Sequence, residues 1–231
     1  MSKLTQRNID ILKIIIDEYI QTGTVLWSKL LLQKHDLWVS SATVRNDMAK
    51  LEALGLIYQP YNSAGRLPSS RGLRAFVNYM MQQYPDHFLS NDASPKSDQL
   101  NKLTDFAHNI CFDLAKNTWE IAFFMVPEEN ISESAGKWVF LEKNYSRLWE
   151  SIFSLIKMLE DKVNFREFIA TLPNSDGLNI YNGEENIIPY LQDYTIIVKQ
   201  VEIGGKKWYV GIIGSLQMDY AFNISSIKWI I

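Results

Sequence analysis

Six polar side chains crowded into one short stretch, Ser40, Ser41, Thr43, Arg45, Asn46 and Lys50, have the chemistry needed to read a nucleic-acid groove. An arginine bonds guanine O6 and N7 in bidentate fashion, and an asparagine does the same for adenine N6 and N7. A serine or threonine near a helix start reaches bases or phosphates. Arg66 follows in a turn-rich segment. There a guanidinium can meet the sugar–phosphate backbone or enter a narrow minor groove, whose negative potential attracts it.

Such groups are useful only if regular elements hold them. Ser40 or Ser41 can cap a helix by accepting from an orphan backbone N–H one turn on. The helix then runs to Leu54 and stops at Gly55. Val44, Met48, Leu51 and Leu54 recur at helical spacing and form the buried stripe, which leaves Thr43, Arg45, Asn46 and Lys50 largely off it. A surface helix with ordinary solvated polar residues shows the same pattern. The residues after Gly55 add weight to the groove-reading alternative. Leu56 to Gln59 reads as a strand, Asn62 to Gly65 as a turn suited to positive φ, and Arg66 to Pro68 as the return strand, with Arg66 near the hairpin tip. Taken alone, the hairpin is equally a plain turn with an exposed arginine. Two helices precede this unit. One is capped by Thr5 and runs through Gln21, with Ile9, Leu12, Ile16 and Ile20 on one face and a turn at Gly23; the other spans about Ser28 to His35. Helix, helix, recognition helix and two-stranded wing is the order of a winged helix-turn-helix.

Charge is unevenly placed. Residues 1–84 hold ten Lys plus Arg against six Asp plus Glu, whereas residues 85–231 hold thirteen against twenty. The net charge of −3 therefore hides a basic head, which suits a phosphate backbone, and an acidic body that DNA repels. No apolar run approaches a membrane span, and the first residues lack a signal peptide's organisation, so a cytosolic chain is expected. The single cysteine, Cys111, excludes an internal disulfide and reads as a buried helical thiol.

The body reads as α+β. A helix from Arg71 to Tyr84, with an apolar edge of Phe76, Val77, Met80 and Met81, ends at Pro85, and residues 85–97 are a polar, proline-containing linker. A helix over Asp98 to Lys116, a strand over Trp119 to Val126 and a helix over about Tyr145 to Val163 come next. After a loop from Pro173 to Gly177 come the strand Leu178 to Tyr181, a hairpin of Tyr194 to Glu202 and Lys207 to Ile213 turned at Gly204 and Gly205, and a closing helix over Asp219 to Ile230. The domains are thus 1–84, the linker 85–97, and 98–231. Little supports catalysis, a cofactor or a metal. His35, His87 and His108 are scattered, Gly204, Gly205 and Gly211 lack the context of a phosphate loop, and Glu184 and Glu185 lie in a polar turn. Hence no enzyme is expected.

The segments LTQRNIDILKIIIDEYIQTGTVLWSKLL, SSATVRNDMAKLEALGLIYQP and NSAGRLPSSRGLRAFV resemble the N-terminal domain of the HrcA heat-inducible transcription repressors. By position the resemblance implies that Ser40, Ser41, Thr43, Arg45, Asn46 and Lys50 face the major groove, and that Ser63 and Arg66 belong to a DNA-contacting wing. NGEEN, the Gly-Gly hairpin, GIIG and MDYAFNISSI are similar to the family's C-terminal part, which implies a GAF-like domain. Here that domain is reduced: between Pro127 and Ile131 the family carries further strands and an inserted dimerisation domain. Trp27 and Trp38 stand where the family commonly has glycine. The resemblance implies a cytoplasmic repressor, a homodimer on an inverted-repeat operator of the CIRCE type upstream of chaperone operons. It also implies release on heat shock and support of the active form by the chaperonin. Two other classes stay open. A protein-interaction module would tie Arg45, Asn46, Lys50 and Arg66 into internal contacts, and a small-molecule-responsive regulator would need a pocket between the hairpin and the helices at 98–116 and 145–163.

Overall fold

The computed structural model describes residues 4–35, 39–83, 100–144, 149–172, 177–228 and 230. The expected linker 85–97, Trp38, His87 and most of the loop at 173–177 lie outside the described residues. The chain divides into two compact units, Met1–Gln83 and Tyr84–Ile231.

In the first unit α1 (Gln6–Thr22) starts at Thr5, whose hydroxyl accepts from Asn8 N while the Asn8 side chain accepts from Thr5 N. It ends at Gly23, whose φ of 67° is the left-handed cap that glycine adopts without strain. Its buried residues are Asn8, Ile11, Leu12, Ile15, Ile16 and Glu18; of the expected face Leu12 and Ile16 are buried while Ile9 and Ile20 are half-buried, because isoleucines occupy several sides of this helix and their pattern alone leaves the rotation open. Next come α2 (Ser28–Lys34), α3 (Ser41–Ala53) and the antiparallel pair β1 (Ile57–Tyr58) and β2 (Leu67–Pro68), and then α4 (Ser70–Gln83). Leu31, Val44, Met48, Leu51, Leu73, Phe76 and Val77 close this core, each burial contributing roughly 1.5–3 kcal/mol for the larger side chains. Among the described residues of this unit, α1 and α4 flank a cavity of about 240 Å³ lined by Leu4, Ile9, Leu12, Phe76 and Tyr79.

The second unit is a sheet between two helical layers, so the α+β class is what the structure has. Its strands are β3 (Ile121–Val126), β4 (Ile131–Ala135), β5 (Gly177–Asn182), β6 (Tyr194–Ile203) and β7 (Lys206–Ser215), in the order β4-β3-β7-β6-β5 with antiparallel neighbours. Strand side chains alternate between faces. Ile121, Phe123 and Met125 join Tyr194, Ile196, Val198, Tyr209 and Ile213 in a core with Phe140 of α6 (Lys137–Asn144), Leu155 of α7 (Trp149–Glu160) and Phe165 of α8 (Lys162–Thr171). On the other face α5 (Leu100–Thr118) sets Phe106 edge-on to Phe124, ring centroids 6.0 Å apart, and α9 (Tyr220–Lys228) lies beside it.

The structure revises several expectations here. One helix to Val163 becomes two, because Asp161 leaves helical geometry and its carboxylate caps Asn164 N. Among the described residues α5 and α7, which stand where the helices at 98–116 and 145–163 were expected, pack on opposite faces of the sheet, so the two do not line one pocket together as a ligand-responsive regulator required. Between Val126 and Ile131 the chain turns tightly through a single 3-10 turn (Pro127–Glu129) and Asn130 at φ 60°, giving a direct β3–β4 hairpin. Glu185 is not simply solvated: its carboxylate accepts from Asn182 N at 2.7 Å.

Candidate nucleic-acid interface

The site is built on α3 and its neighbours. Ser40 is the N-cap: its Oγ accepts from Thr43 N at 3.1 Å and lies 2.9 Å from the Thr43 hydroxyl. Ser41 is exposed in the first turn and Thr43 is half-buried. With Val44, Asp47, Met48 and Leu51 facing inward, the helix turns Arg45 and Asn46 outward; both are exposed and neither has a hydrogen-bond partner among the described residues. Ala42, Ala49 and Ala53 surround them, also exposed. A face of two long polar side chains amid methyl groups lets a helix approach a groove floor closely, and alanine can meet a thymine methyl.

Lys50 is half-buried on the flank of this face, where its ammonium donates to Asn8 Oδ1 at 3.1 Å. That contact belongs to a polar lock which sequence reading missed. Asp47 sits on the apolar stripe at 7% exposure. Its Oδ2 accepts from Arg7 Nε at 2.5 Å and its Oδ1 from Asn8 Nδ2 at 2.8 Å. Burying a carboxylate is tolerable only with such partners. The lock holds α3 against the first turns of α1, so the rotation of α3 that exposes Arg45 and Asn46 is set partly by charge. A carboxylate one turn after Val44 on an apolar stripe was the sequence signal that a buried partner exists.

The hairpin is placed by a different clasp. Ala64 N donates to Tyr61 O at 3.0 Å, which closes the turn, and Ser63 takes φ 65°. Ser63 is therefore the left-handed position of the expected turn. Gly65 has another role: a Cβ there would stand 2.6 Å from Leu26 O, because Arg66 and Leu26 exchange backbone hydrogen bonds of 2.8 and 3.0 Å. Arg66 stands beside the turn, but its guanidinium folds back. Nε and Nη2 meet Glu52 Oε2 at 3.1 and 2.9 Å, and Nη1 donates to Ala64 O at 3.2 Å. Of the sequence-predicted group, the structure leaves Ser41, Arg45, Asn46 and Ser63 exposed, uses Ser40 and Thr43 in the cap, and ties Lys50 and Arg66 into internal contacts.

Among the described residues no set of three or more His, Cys, Asp and Glu is placed to hold a metal, and no helix is long and apolar enough to cross a membrane.

Comparison with known proteins adds kinship to this geometry. The heat-inducible transcription repressor HrcA of Alkaliphilus metalliredigens is 43% identical over 100 residues, 43% of this chain and 29% of that protein. Its counterpart in Acetivibrio thermocellus is 35% identical over 131 residues, 56% of this chain and 37% of that protein, and that of Clostridioides difficile is 46% identical over 81 residues, 35% and 24%. The chain thus spans well under half the length of these curated relatives. A crystal structure described as that of a hypothetical protein at 2.2 Å resolution superposes with a TM-score of 0.78 at 20% identity, over 99% of this chain and 96% of the other, a likeness of fold. The family model described as HrcA protein C terminal domain matches residues 67–224, from the return strand of the hairpin into α9, and on that match the chain belongs to the HrcA family.

Proposed function

We propose that this chain is a sequence-specific DNA-binding transcriptional repressor, without catalytic activity, acting in the cytoplasm as a homodimer. In this reading residues 1–84 are a winged helix-turn-helix, 85–97 a linker and 98–231 a reduced GAF-like regulatory and dimerisation domain. One observation carries it: α3 projects Arg45 and Asn46, unpartnered among the described residues and ringed by alanines, from a helix locked by Asp47 and followed by a braced hairpin. Ser40, Ser41, Thr43 and Lys50 complete the major-groove side, and Ser63 and Arg66 the wing. The names of the relatives, heat-inducible transcription repressors, support a heat-released repressor. The operator is then an inverted repeat of the CIRCE type upstream of chaperone genes, with the chaperonin as the partner that sustains the active form. A two-fold dimer presents one recognition helix to each half-site.

The test is binding of the full chain to an inverted-repeat duplex and to a scrambled one across salt, with oligomeric state measured in parallel. Preferential binding by a dimer, weakening as salt rises, supports the reading; equal weak binding by a monomer sinks it. In the same assay Arg45→Ala should cost roughly 1–3 kcal/mol of specific binding and relax discrimination at one base pair. The internal engagement of Lys50 and Arg66 favours a second reading, a winged-helix module that binds protein rather than DNA, and a chain that binds neither duplex would point there.

A further inference from the structure

The turn of the hairpin is held from both strands. The Ala64 carbonyl accepts from Gln59 Nε2 at 3.0 Å and from Arg66 Nη1 at 3.2 Å, while Ala64 N closes the turn onto Tyr61 O. Arg66 also bridges backbone to Leu26 and side chain to Glu52 of α3, leaving its side chain 22% exposed. What the braced turn presents outward is Tyr61, 65% exposed, with Asn62 and Ser63 exposed beside it. From Gln59 to Gly65 the sequence carries no charge. Every exposed side chain of the turn at 61–63 can donate a hydrogen bond, and none is anionic.

Resting on the DNA-binding reading, we infer that Tyr61 is the principal contact of the wing with duplex DNA and that Arg66 is a positioning residue. The phenol hydroxyl donates to an acceptor on the edge of the duplex, and the ring covers the adjacent sugar. The duplex edge is lined by acceptors, the phosphate oxygens and, in the minor groove, adenine N3 and thymine O2. A neutral tip rich in donors complements that surface without neutralising a phosphate. The clasp from Arg66 to Glu52 couples the reach of the wing to the helix that carries Arg45 and Asn46, so one protein–DNA register serves both.

Salt separates these roles. Each cation that neutralises a phosphate adds about 0.9 to the slope of log affinity against log salt, whereas a tyrosine hydroxyl adds nothing. With the full chain and an inverted-repeat duplex, Tyr61→Ala should lower affinity about five- to tenfold, and Tyr61→Phe by a smaller factor, both with the parent's salt slope. Arg66→Gln should lower affinity and also leave the slope unchanged. Duplexes with A·T or G·C pairs beneath the wing locate the acceptor: a Tyr61 effect confined to A·T flanks means the minor groove, and one common to both means a phosphate. If the parent binds the operator specifically but Tyr61→Ala binds equally well, or Arg66→Gln lowers the slope by about 0.9, the assignment is overturned while the DNA reading stands. A parent that binds neither duplex overturns the reading and this inference with it.

Discussion

Glu120, immediately before β3, should make the second unit less stable as pH rises toward neutrality. Its side chain is 1% exposed. Oε1 accepts from Lys143 Nζ at 2.6 Å, but Oε2 has no hydrogen-bond partner among the described residues and faces Gly214 and Met218, where a Cβ on Gly214 would come within 3.0 Å of it. Burial pushes the carboxyl up to about 7 from an ordinary 4.5, outweighing the nearby ammonium. Below the ordinary value both folded and unfolded chains hold the proton and no penalty exists. Between 4.5 and about 7 the unfolded chain alone releases it, so stability falls as pH rises, and above about 7 the full penalty is present. A displacement of that size corresponds to about 3 kcal/mol. Glu120→Gln keeps the shape, removes the titration and leaves Lys143, 43% exposed, to water. The variant should be more stable than the parent by roughly 1–3 kcal/mol at pH 8, with the difference closing or reversing near pH 4.5. Urea unfolding followed by tryptophan fluorescence from pH 4.5 to 8 measures this, since five of the seven tryptophans lie beyond residue 84. Parallel stability profiles for parent and variant would refute the reasoning.

Three further outcomes rest on single contacts. Asp47→Ala removes the acceptor of Arg7 and Asn8 and should destabilise the first unit by about 2–4 kcal/mol, read by calorimetry, with Asp47→Asn milder. Gly72→Ala should also destabilise, by more than about 2 kcal/mol, although glycine-to-alanine changes inside helices normally help, because the new Cβ would stand 1.9 Å from Leu56 O. Burial pushes the Cys111 thiol up to about 12, so iodoacetamide at pH 8 should leave the native chain unmodified and label it only in denaturant.

Local signals were legible where a residue's own backbone carries them. Gly204 and Gly205 announced the β6–β7 turn because both adopt positive φ, at 60° and 75°, and Thr5 and Ser40 announced helix starts because a short hydroxyl beside an orphan N–H has one obvious partner. Signals that need a distant partner were not legible. β4 has no local signal, since Ser132, Glu133 and Ser134 carry no apolar pattern and only pairing with β3 makes them a strand. The apolar spacing of α7 runs on through Asp161, so only the cap geometry shows the break. Arg66 read as a free tip residue since its partner, Glu52, lies on another element.

The same distinction bears on how the basic head should be weighed. Charge counting credits residues 1–84 with ten cations, yet Arg7, Lys34, Lys50 and Arg66 are engaged with Asp47, Glu18, Asn8 and Glu52. Removing Arg7, Lys34 or Arg66 would take a donor from a buried or half-buried carboxylate, and removing Lys50 would take one of the two donors to Asn8 Oδ1, so these four serve the fold first. Cations held this way release no counterions on binding unless the internal contact breaks, and breaking it returns the desolvation penalty of the partner. In the proposed DNA-binding reading the exposed face of α3 works less by net charge than by which atoms it offers: one guanidinium and one carboxamide at adjacent positions, a donor fork and a donor–acceptor pair, held at a fixed rotation by the Asp47 lock. In that reading, specificity for a base sequence requires the rotation to be fixed, because a turn of α3 by one residue would carry either Arg45 or Asn46 off its outer face and bring Asp47 or Val44 into its place.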